Sequence, residues 1–208
     1  MKDEAQIVKL ARLFDPGDHA LGPDSAPATL IEYGDYECPH CRQLQPIIHE
    51  LTGRAEGLRF VYRHFPISKV HPHAARAAEA AEAAAAQGRF WEMHDALFAQ
   101  DPPLDDERLA RCARKAGLDM ERYAGEMAAA LYAGKVSEAF KAALYADGVT
   151  GTPTLYLNGA RLSNLHDSEA LLAAVTAAGA TLHHETEERA GWLSRLRKLR
   201  MGMTRLRS

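Results

Sequence analysis

The 208-residue sequence contains only three cysteines, and it lacks any long apolar run. A disulfide-rich secreted scaffold needs many cysteines in a short chain, so that class of protein is excluded. A transmembrane helix needs about 18–20 consecutive apolar residues, and no segment reaches that length. The first residues, Met1 to Gln6, include two acids and no apolar core of a secretory signal, which predicts a cytoplasmic protein.

Charge is unevenly distributed along the chain. Residues 189–208 carry seven basic side chains and no acidic one, whereas residues 1–188 have a net charge of −10. Such an acidic body lacks the broad positive surface that nucleic acid requires, so no nucleic-acid partner is expected.

The basic tail, residues 183–208, also carries apolar side chains at helical spacing opposite its Arg and Lys residues. These side chains are Trp192, Leu196, Leu199, Met203 and Leu206. The pattern predicts that residues 187–208 contact an anionic membrane surface or a partner protein, with a self-packed helix as the alternative.

The first part of the chain has the pattern of a βαβ unit. A short helix and a connector rich in Pro, Gly and Asp are predicted for residues 1–24. The apolar run at residues 28–33 predicts a buried strand, Pro39–Glu50 has the apolar spacing of a helix, and Leu58–Phe65 alternates as a second strand. A strand, a helix and a strand within 40 residues imply parallel strands joined by a right-handed crossover.

Helical periodicity dominates the middle of the chain, and strand character then returns. Helices are predicted at residues 74–86, 90–98, 105–116, 120–131 and 135–145. They are followed by a strand at residues 154–157, an Asn158-Gly159 hairpin turn, strand residues at 161–162 and a helix at residues 168–178.

These elements predict an α/β domain interrupted by a helical insertion. The α/β domain would comprise residues 25–70 and 148–182, with a βαβ unit in the first segment and a ββα unit in the second. The all-helical insertion would comprise residues 71–147.

Two of the three cysteines form the motif Cys38-Pro39-His40-Cys41 between a predicted strand and a predicted helix. Pro39 suits the first helical position, where its missing N–H costs nothing. Cysteines at positions i and i+3 lie about one helical turn apart, within reach of a disulfide. At a helix N-terminus the unpaired N–H groups stabilise a thiolate on Cys38, and His40 can add a hydrogen bond or a positive charge.

A zinc site or a pair of inert cysteines is the alternative interpretation of this motif. Zinc usually needs a second pair of Cys or His ligands at defined spacing. The pairs His71/His73 and His183/His184 lack that arrangement, and Cys112 stands alone. We therefore predict redox chemistry and no metal.

The chain resembles the DsbA family of thioredoxin-fold thiol–disulfide oxidoreductases over about residues 15–180. Three stretches carry the resemblance: Leu30-Ile31-Glu32-Tyr33-Gly34-Asp35-Tyr36-Glu37-Cys38-Pro39-His40-Cys41, Arg63-His64-Phe65-Pro66 with His71-Pro72, and Gly151-Thr152-Pro153-Thr154. The helical insertion belongs to the same pattern. The resemblance implies a thioredoxin-like fold, no organic cofactor, and protein or peptide thiols and disulfides as substrates, with an unknown redox partner.

The resemblance also implies roles for matching residues. Cys38 would be the nucleophile and Cys41 the resolving cysteine. Pro153 would be a cis-proline beside the disulfide, and Thr152 would offer backbone hydrogen bonds to an extended substrate. Glu32 is a charged residue in an apolar strand, where burial without a partner is expensive, and it matches the buried acid that relays a proton to or from the resolving cysteine.

The function predicted is therefore DsbA-type thiol–disulfide exchange through the Cys-Pro-His-Cys motif. The alternatives are a disulfide reductase or isomerase on the same fold, or a non-enzymatic metal-binding or redox-sensing module. Among the other polar residues and cysteines, Cys112 is predicted to be a buried structural thiol and Glu37 a solvated acid. His64, His71 and His73 are predicted to be loop and helix-cap residues.

Overall fold

The computed structural model describes residue 10 and residues 13–163 and 167–183. The predicted N-terminal helix and the basic tail therefore lie almost entirely outside the described residues, and both stay predictions. The strands are β1 (His19–Leu21), β2 (Ala28–Gly34), β3 (Ala55–Glu56), β4 (Leu58–His64), β5 (Thr154–Leu157), β6 (Ala160–Arg161) and β7 (Thr181–Leu182). The helices are α1 (Pro39–Arg54), α2 (Ala74–Ala85), α3 (Phe90–Phe98), α4 (Asp106–Lys115), α5 (Met120–Ala128), α6 (Ala133–Tyr145) and α7 (Ser168–Ala177).

A five-stranded mixed sheet in the order β1-β4-β2-β5-β6 forms the centre of the thioredoxin-like α/β fold. Strand β2 runs parallel to β4, with Leu30 opposite Phe60, as the βαβ pattern predicts. On its other edge β2 pairs with β5 in antiparallel orientation, with Leu30 opposite Leu157. All seven residues of β2 are buried, because both edges are hydrogen-bonded and both faces are covered.

Successive residues of β2 enter two different cores, as expected from the two-residue period of a strand. Leu30 belongs to the larger core, together with residues from α1, the helices that follow β4, and α7. Ile31 belongs to a smaller core on the opposite face, which α6 covers. There the ring of Phe140 on α6 stacks on Phe65, with the ring centroids 4.6 Å apart.

Five helices, α2 to α6, lie between β4 and β5, and each lies within a few residues of its predicted range. Aspartates define two of the boundaries. Asp105 accepts a hydrogen bond from the Arg108 N–H at the start of α4, and Asp119 caps α5 in the same way. Cys112 is buried on α4 and its thiol donates to the Ala96 carbonyl, so the prediction of a structural thiol is confirmed.

Three short strands were not predicted from the sequence. Strand β1 lies in the segment expected to be a connector, where it pairs antiparallel with the edge of β4. Strands β3 and β7 form a separate two-stranded sheet. A strand of two or three residues is too short to display an alternating pattern, and only its distant partner defines it.

The prediction that Glu37 is solvated is wrong. Glu37 is buried, and its carboxylate accepts hydrogen bonds from two backbone N–H groups, Leu104 at 2.7 Å and His73 at 2.8 Å. The neighbouring Asp35 is also buried, and it accepts hydrogen bonds from the Glu37 and Ile67 N–H groups. Both acids therefore fasten the turn between β2 and α1 to distant segments.

His64 is the last residue of β4, within the strand predicted at Leu58–Phe65, and it is buried, so the prediction of a loop or helix-cap residue is wrong for this histidine. His71 lies in the loop after β4, where its Nδ1 is 2.8 Å from a carboxylate oxygen of Asp35. His73 occupies the position before α2, although its side chain makes no capping hydrogen bond there.

We predict that Glu37→Ala destabilises the protein, because it removes the acceptor for two buried N–H groups. The free energy of unfolding should fall by about 1–3 kcal/mol for each donor left without a partner. Chemical denaturation of the two proteins measures the difference. Glu138→Ala, at an exposed position of α6, is the matched control and should change stability by less than about 0.5 kcal/mol. Similar losses in both variants would contradict the structural role of Glu37.

Candidate active site

The cysteine pair lies where β2 leads into α1. Cys38 caps the N-terminus of α1 with an extended backbone conformation, and Pro39 occupies the first helical turn, as predicted. Cys41 lies in the same turn and is fully buried, whereas Pro39 and His40 are exposed. Both cysteines are thiols in this structure. The junction therefore presents two sulfur atoms at one end of the sheet in different surroundings.

The surroundings of Cys38 favour its thiolate. A hydrogen bond from the Cys41 thiol does most to lower the pKa of Cys38, and burial opposes it. The Thr152 side chain and the backbone N–H groups of Cys41 and His40 lower the pKa further, to about 5. Burial instead raises the pKa of Cys41 well above its usual range, and the hydrogen bond to Cys38 adds to this. Near neutral pH, the negative charge therefore resides on Cys38.

The loop before β5 reaches the same sulfur atom. The peptide bond between Thr152 and Pro153 is cis, as the family resemblance implies. The Cys38 thiol donates to the Thr152 carbonyl oxygen at a distance of 3.4 Å. The Thr152 hydroxyl is buried and makes no hydrogen bond with a described residue when Cys38 is a thiol. That hydroxyl is therefore available to a thiolate on Cys38.

Glu32 is fully buried in β2, on the approach to the cysteines. Burial does most to raise the pKa of Glu32, a hydrogen bond from Gln45 opposes the rise and charge on Cys38 adds to it, with a net pKa of about 8. Charge on Glu32 in turn raises the pKa of Cys41. Within the described part of the chain, Oε1 of Glu32 has no hydrogen-bond partner. Glu32 thus holds a proton at neutral pH and is electrostatically coupled to both sulfurs.

A chain of buried polar side chains continues from Glu32, and sequence reasoning missed it. The Gln45 amide donates to Glu32 Oε2 at 3.4 Å, and its carbonyl oxygen lies 3.3 Å from Nε2 of His94. Nδ1 of His94 lies 3.2 Å from the Tyr36 hydroxyl. One signal was present in the sequence: Gln45 is a polar residue one turn after Cys41, on the face of α1 that packs inward.

The cysteine pair does not belong to a cluster of metal ligands among residues 13–163 and 167–183. Three metal-binding side chains converge in that part of the chain only at His19, His64 and Glu82, and no cysteine is among them. The zinc alternative for the Cys-Pro-His-Cys motif therefore lacks further ligands there.

A cysteine pair at the first turn of a helix, beside a cis-proline loop and on a mixed sheet, defines a thioredoxin-like oxidoreductase. Residues 15–177 match the family model described as Thioredoxin. The chain belongs to this family.

Solved structures support the same fold. A thioredoxin-like oxidoreductase from Silicibacter pomeroyi DSS-3 is 29% identical, with a TM-score of 0.71 over 81% of this chain and 95% of that chain. The thiol-disulfide exchange protein alpha-DsbA2 from Wolbachia pipientis is 20% identical, with a TM-score of 0.70 over 79% of this chain and 89% of that chain. At 20% identity the second likeness concerns the fold alone. The resemblance to DsbA-like proteins is thus confirmed for the fold.

The curated proteins that are similar in sequence are named as antiporters and not as oxidoreductases. "Na(+)/H(+) antiporter NhaA 3" of Salinispora tropica is 44% identical over 176 residues, which are 84% of this chain and 27% of that protein. The chain spans about a quarter of the length of the curated relatives it matches. Among the helices described here, none combines the length and the apolar content needed to cross a bilayer.

Two substitutions of His40 separate its backbone from its imidazole. His40→Pro removes both the ring and an N–H that stabilises the thiolate, whereas His40→Ala removes only the ring. We predict that His40→Pro raises the pKa of Cys38 from about 5, and that His40→Ala raises it by less. Thiolate absorbance measured as a function of pH reports both values.

The cysteine pair should also become more reducing in both variants, and more so in His40→Pro than in His40→Ala. The expected change in potential is about 30 mV for each 1.4 kcal/mol of lost thiolate stabilisation. Equal shifts in the two variants would assign the effect to the imidazole. No shift in either variant would remove His40 from the causes of the low pKa.

Proposed function

We propose that this chain is a DsbA-type thiol–disulfide oxidoreductase that exchanges disulfides with protein dithiols through Cys38 and Cys41. The observation that carries the proposal is the difference in protonation between two neighbouring sulfur atoms. Cys38 is stabilised as a thiolate, whereas Cys41 is buried and keeps its proton. Exchange needs one sulfur that reacts readily and a second that reacts only after the first has been captured.

In the oxidising direction, a substrate thiolate attacks Sγ of Cys38 in the Cys38–Cys41 disulfide. The sulfur–sulfur bond breaks, Cys41 leaves as a thiolate, and a mixed disulfide joins Cys38 to the substrate. A second substrate thiolate then attacks the substrate sulfur of the mixed disulfide, and Cys38 leaves as a thiolate. Two electrons pass from the substrate to the cysteine pair, and the substrate gains one disulfide.

The low pKa of Cys38 supports this direction. Cys38 leaves readily in the second step because its thiolate is stable, and a sulfur with a low pKa is a good leaving group. Stabilisation of the thiolate also favours the reduced form of the pair, which makes the disulfide a stronger oxidant. A reductase on the same fold would need a less stable thiolate.

Glu32 supplies the proton that the first step requires. Cys41 leaves as a thiolate in a buried environment, where its charge is expensive. Because the pKa of Glu32 is about 8, this residue still carries a proton at neutral pH and can pass it toward Cys41. In the reverse direction, ionised Glu32 would accept the Cys41 proton.

The loop of Thr152 and Pro153 is the proposed substrate-binding segment. The Thr152 carbonyl lies 3.4 Å from Sγ of Cys38, so a peptide that pairs with this backbone brings its own sulfur close to Cys38.

The proposed function does not include antiport. The name "Na(+)/H(+) antiporter NhaA 3" describes the whole Salinispora tropica protein, and only 27% of that protein matches this chain.

We predict that the oxidised protein converts a reduced peptide dithiol to its disulfide stoichiometrically, and that Cys38→Ser abolishes this reaction. Cys41→Ser cannot form the active-site disulfide and should also lose this reaction; incubated instead with oxidised glutathione, its Cys38 thiolate should attack the glutathione disulfide, release one glutathione thiolate and accumulate as a mixed disulfide, because the resolving thiol is missing. Cys112→Ala, a change at a buried thiol on α4, is the matched control and should keep the parental rate. Retention of activity in Cys38→Ser would overturn the proposal.

The equilibrium potential against glutathione, measured on the same preparations, separates the candidate functions. A potential more oxidising than that of the glutathione couple is expected. A more reducing value would identify a reductase.

A further prediction concerns Glu32. Glu32→Gln should slow mixed-disulfide resolution by Cys41 in the reducing direction while leaving the initial attack by Cys38 on a disulfide nearly unchanged. The parental rate of resolution should rise with pH through about 8, because ionised Glu32 accepts the Cys41 proton, and the variant should lose this dependence. Stopped-flow measurement of the two steps provides an internal control. An unchanged pH profile in the variant would contradict the proton-transfer role.

A further inference from the structure

Three potential metal ligands from distant segments meet on one side of the sheet. His19 lies in edge strand β1, His64 ends β4, and Glu82 lies on α2. Nε2 of His19 is 3.0 Å from Oε1 of Glu82, and Nε2 of His64 is 3.3 Å from the same oxygen. The three ligand atoms lie within 4.8 Å of one another. These residues form what we call the His–His–Glu cluster.

His64 is the unusual member of the cluster. Its side chain is only 3% exposed, yet neither ring nitrogen makes a hydrogen bond with any residue that the structure describes. Buried polar groups nearly always have a partner, so each exception requires an explanation. Nε2 of His64 lies close to Oε1 of Glu82, but the two atoms do not have the geometry of a hydrogen bond. Such a distance is expected for two atoms that bind the same metal ion.

The spacing of the cluster fits a tetrahedral metal ion. Zinc–nitrogen and zinc–oxygen bonds are about 2.0–2.2 Å long, so two ligand atoms on one zinc ion lie about 3.3–3.6 Å apart. The two nitrogen–oxygen distances of 3.0 and 3.3 Å are at or just below this range. Two His residues and one Glu also form a recurrent ligand set of zinc sites that retain an open fourth position.

The surroundings hold the ligands in place and leave room beside them. The His19 ring stacks on Phe90 with the ring centroids 3.6 Å apart, which restricts its orientation. Lys135 Nζ donates to Oε2 of Glu82 at 2.6 Å, so that oxygen is occupied and Oε1 faces the imidazoles. All three ligands line a cavity of about 350 Å³, which has space for a water molecule as the fourth ligand and for entry of the ion.

We propose that His19, His64 and Glu82 form a binding site for a divalent transition-metal ion, for which Zn²⁺ is the best match. This site is separate from the cysteine pair, and it differs from the sequence-based prediction of no metal. The ion would link β1, β4 and α2, three segments that are far apart in sequence.

The test uses the untagged 208-residue chain with Cys38 and Cys41 oxidised to the disulfide, so that these thiols cannot bind metal. A calorimetric titration with Zn²⁺ should show that one ion binds per chain. Bound Zn²⁺ should raise the melting temperature, because a ligand that binds only the folded state stabilises it. Co²⁺ should show the intense visible bands of a tetrahedral ion without sulfur-to-metal charge transfer.

Two variants remove ligands with little change of shape, and a third serves as the matched control. Glu82→Gln and His64→Gln should each weaken Zn²⁺ binding by more than tenfold and abolish the rise in melting temperature. Glu138→Gln neutralises an acid that lines the same cavity outside the cluster and should bind Zn²⁺ within about twofold of the parent. Circular dichroism and the dithiol-oxidation rate establish that each variant is folded.

Two results would overturn the proposal. One is the absence of a Zn²⁺ site in the oxidised parent protein. The other is equal Zn²⁺ affinity in the parent and in folded Glu82→Gln or His64→Gln. In either case the cluster would be a set of polar contacts between two histidines and a glutamate without a metal ion. Neither result bears on thiol–disulfide exchange, which the cysteine variants test separately.

Discussion

Strand β2 is hydrogen-bonded on both edges and buried along its whole length, and the position of the cysteine pair depends on it. Its C-terminal end leads through a short turn into α1, so Cys38 lies at the helix N-terminus. The antiparallel neighbour β5 begins directly after Pro153, which brings the cis-proline loop to the same end of the sheet. One strand thus aligns the helix, the sulfur atoms and the loop.

The chemistry of this end of the sheet arises from a difference in environment over less than one helical turn. Cys38 receives hydrogen bonds from a thiol, a side chain and backbone N–H groups, whereas Cys41 lies in the core below it. Glu32 is also in the core, where burial raises its pKa, whereas hydrogen bonds lower the pKa of Cys38. Hydrogen bonds to Cys38 and burial of Cys41 and Glu32 therefore place a thiolate, a protonated thiol and a protonated acid close together, which are the states that the proposed function requires.

Several acidic side chains are buried in this structure, and each is stabilised by a different set of partners. Asp35 and Glu37 receive backbone N–H groups and fasten the turn before Cys38 to the segments that follow β4. On Glu82, burial acts against ionisation, but the contacts with His19 and His64 outweigh it and hold the pKa well below its usual range. A carboxylate inside a protein needs donors or cations around it, and here they come from segments far apart in sequence.

Features that depend on neighbouring residues were predictable from the sequence. The βαβ pattern, the helices between β4 and β5, the Asn158-Gly159 turn and the place of Cys38 at a strand–helix junction all follow from local periodicity and turn chemistry. Periodicity reports which face of an element is buried, and this was sufficient to identify Cys112 as a core residue.

Only the tertiary structure decided which distant groups meet. Glu37 and Leu104 are 67 positions apart, and His19 and Glu82 are 63 positions apart, so no local pattern links them. Glu37 was therefore predicted to be solvated, although it is buried, and the burial of His64 at the end of its predicted strand was missed. The same reason explains why β1, β3 and β7 were missed. The sequence determined the elements and the reactive pair, whereas chain folding alone selected the partners that set the charge of each buried group.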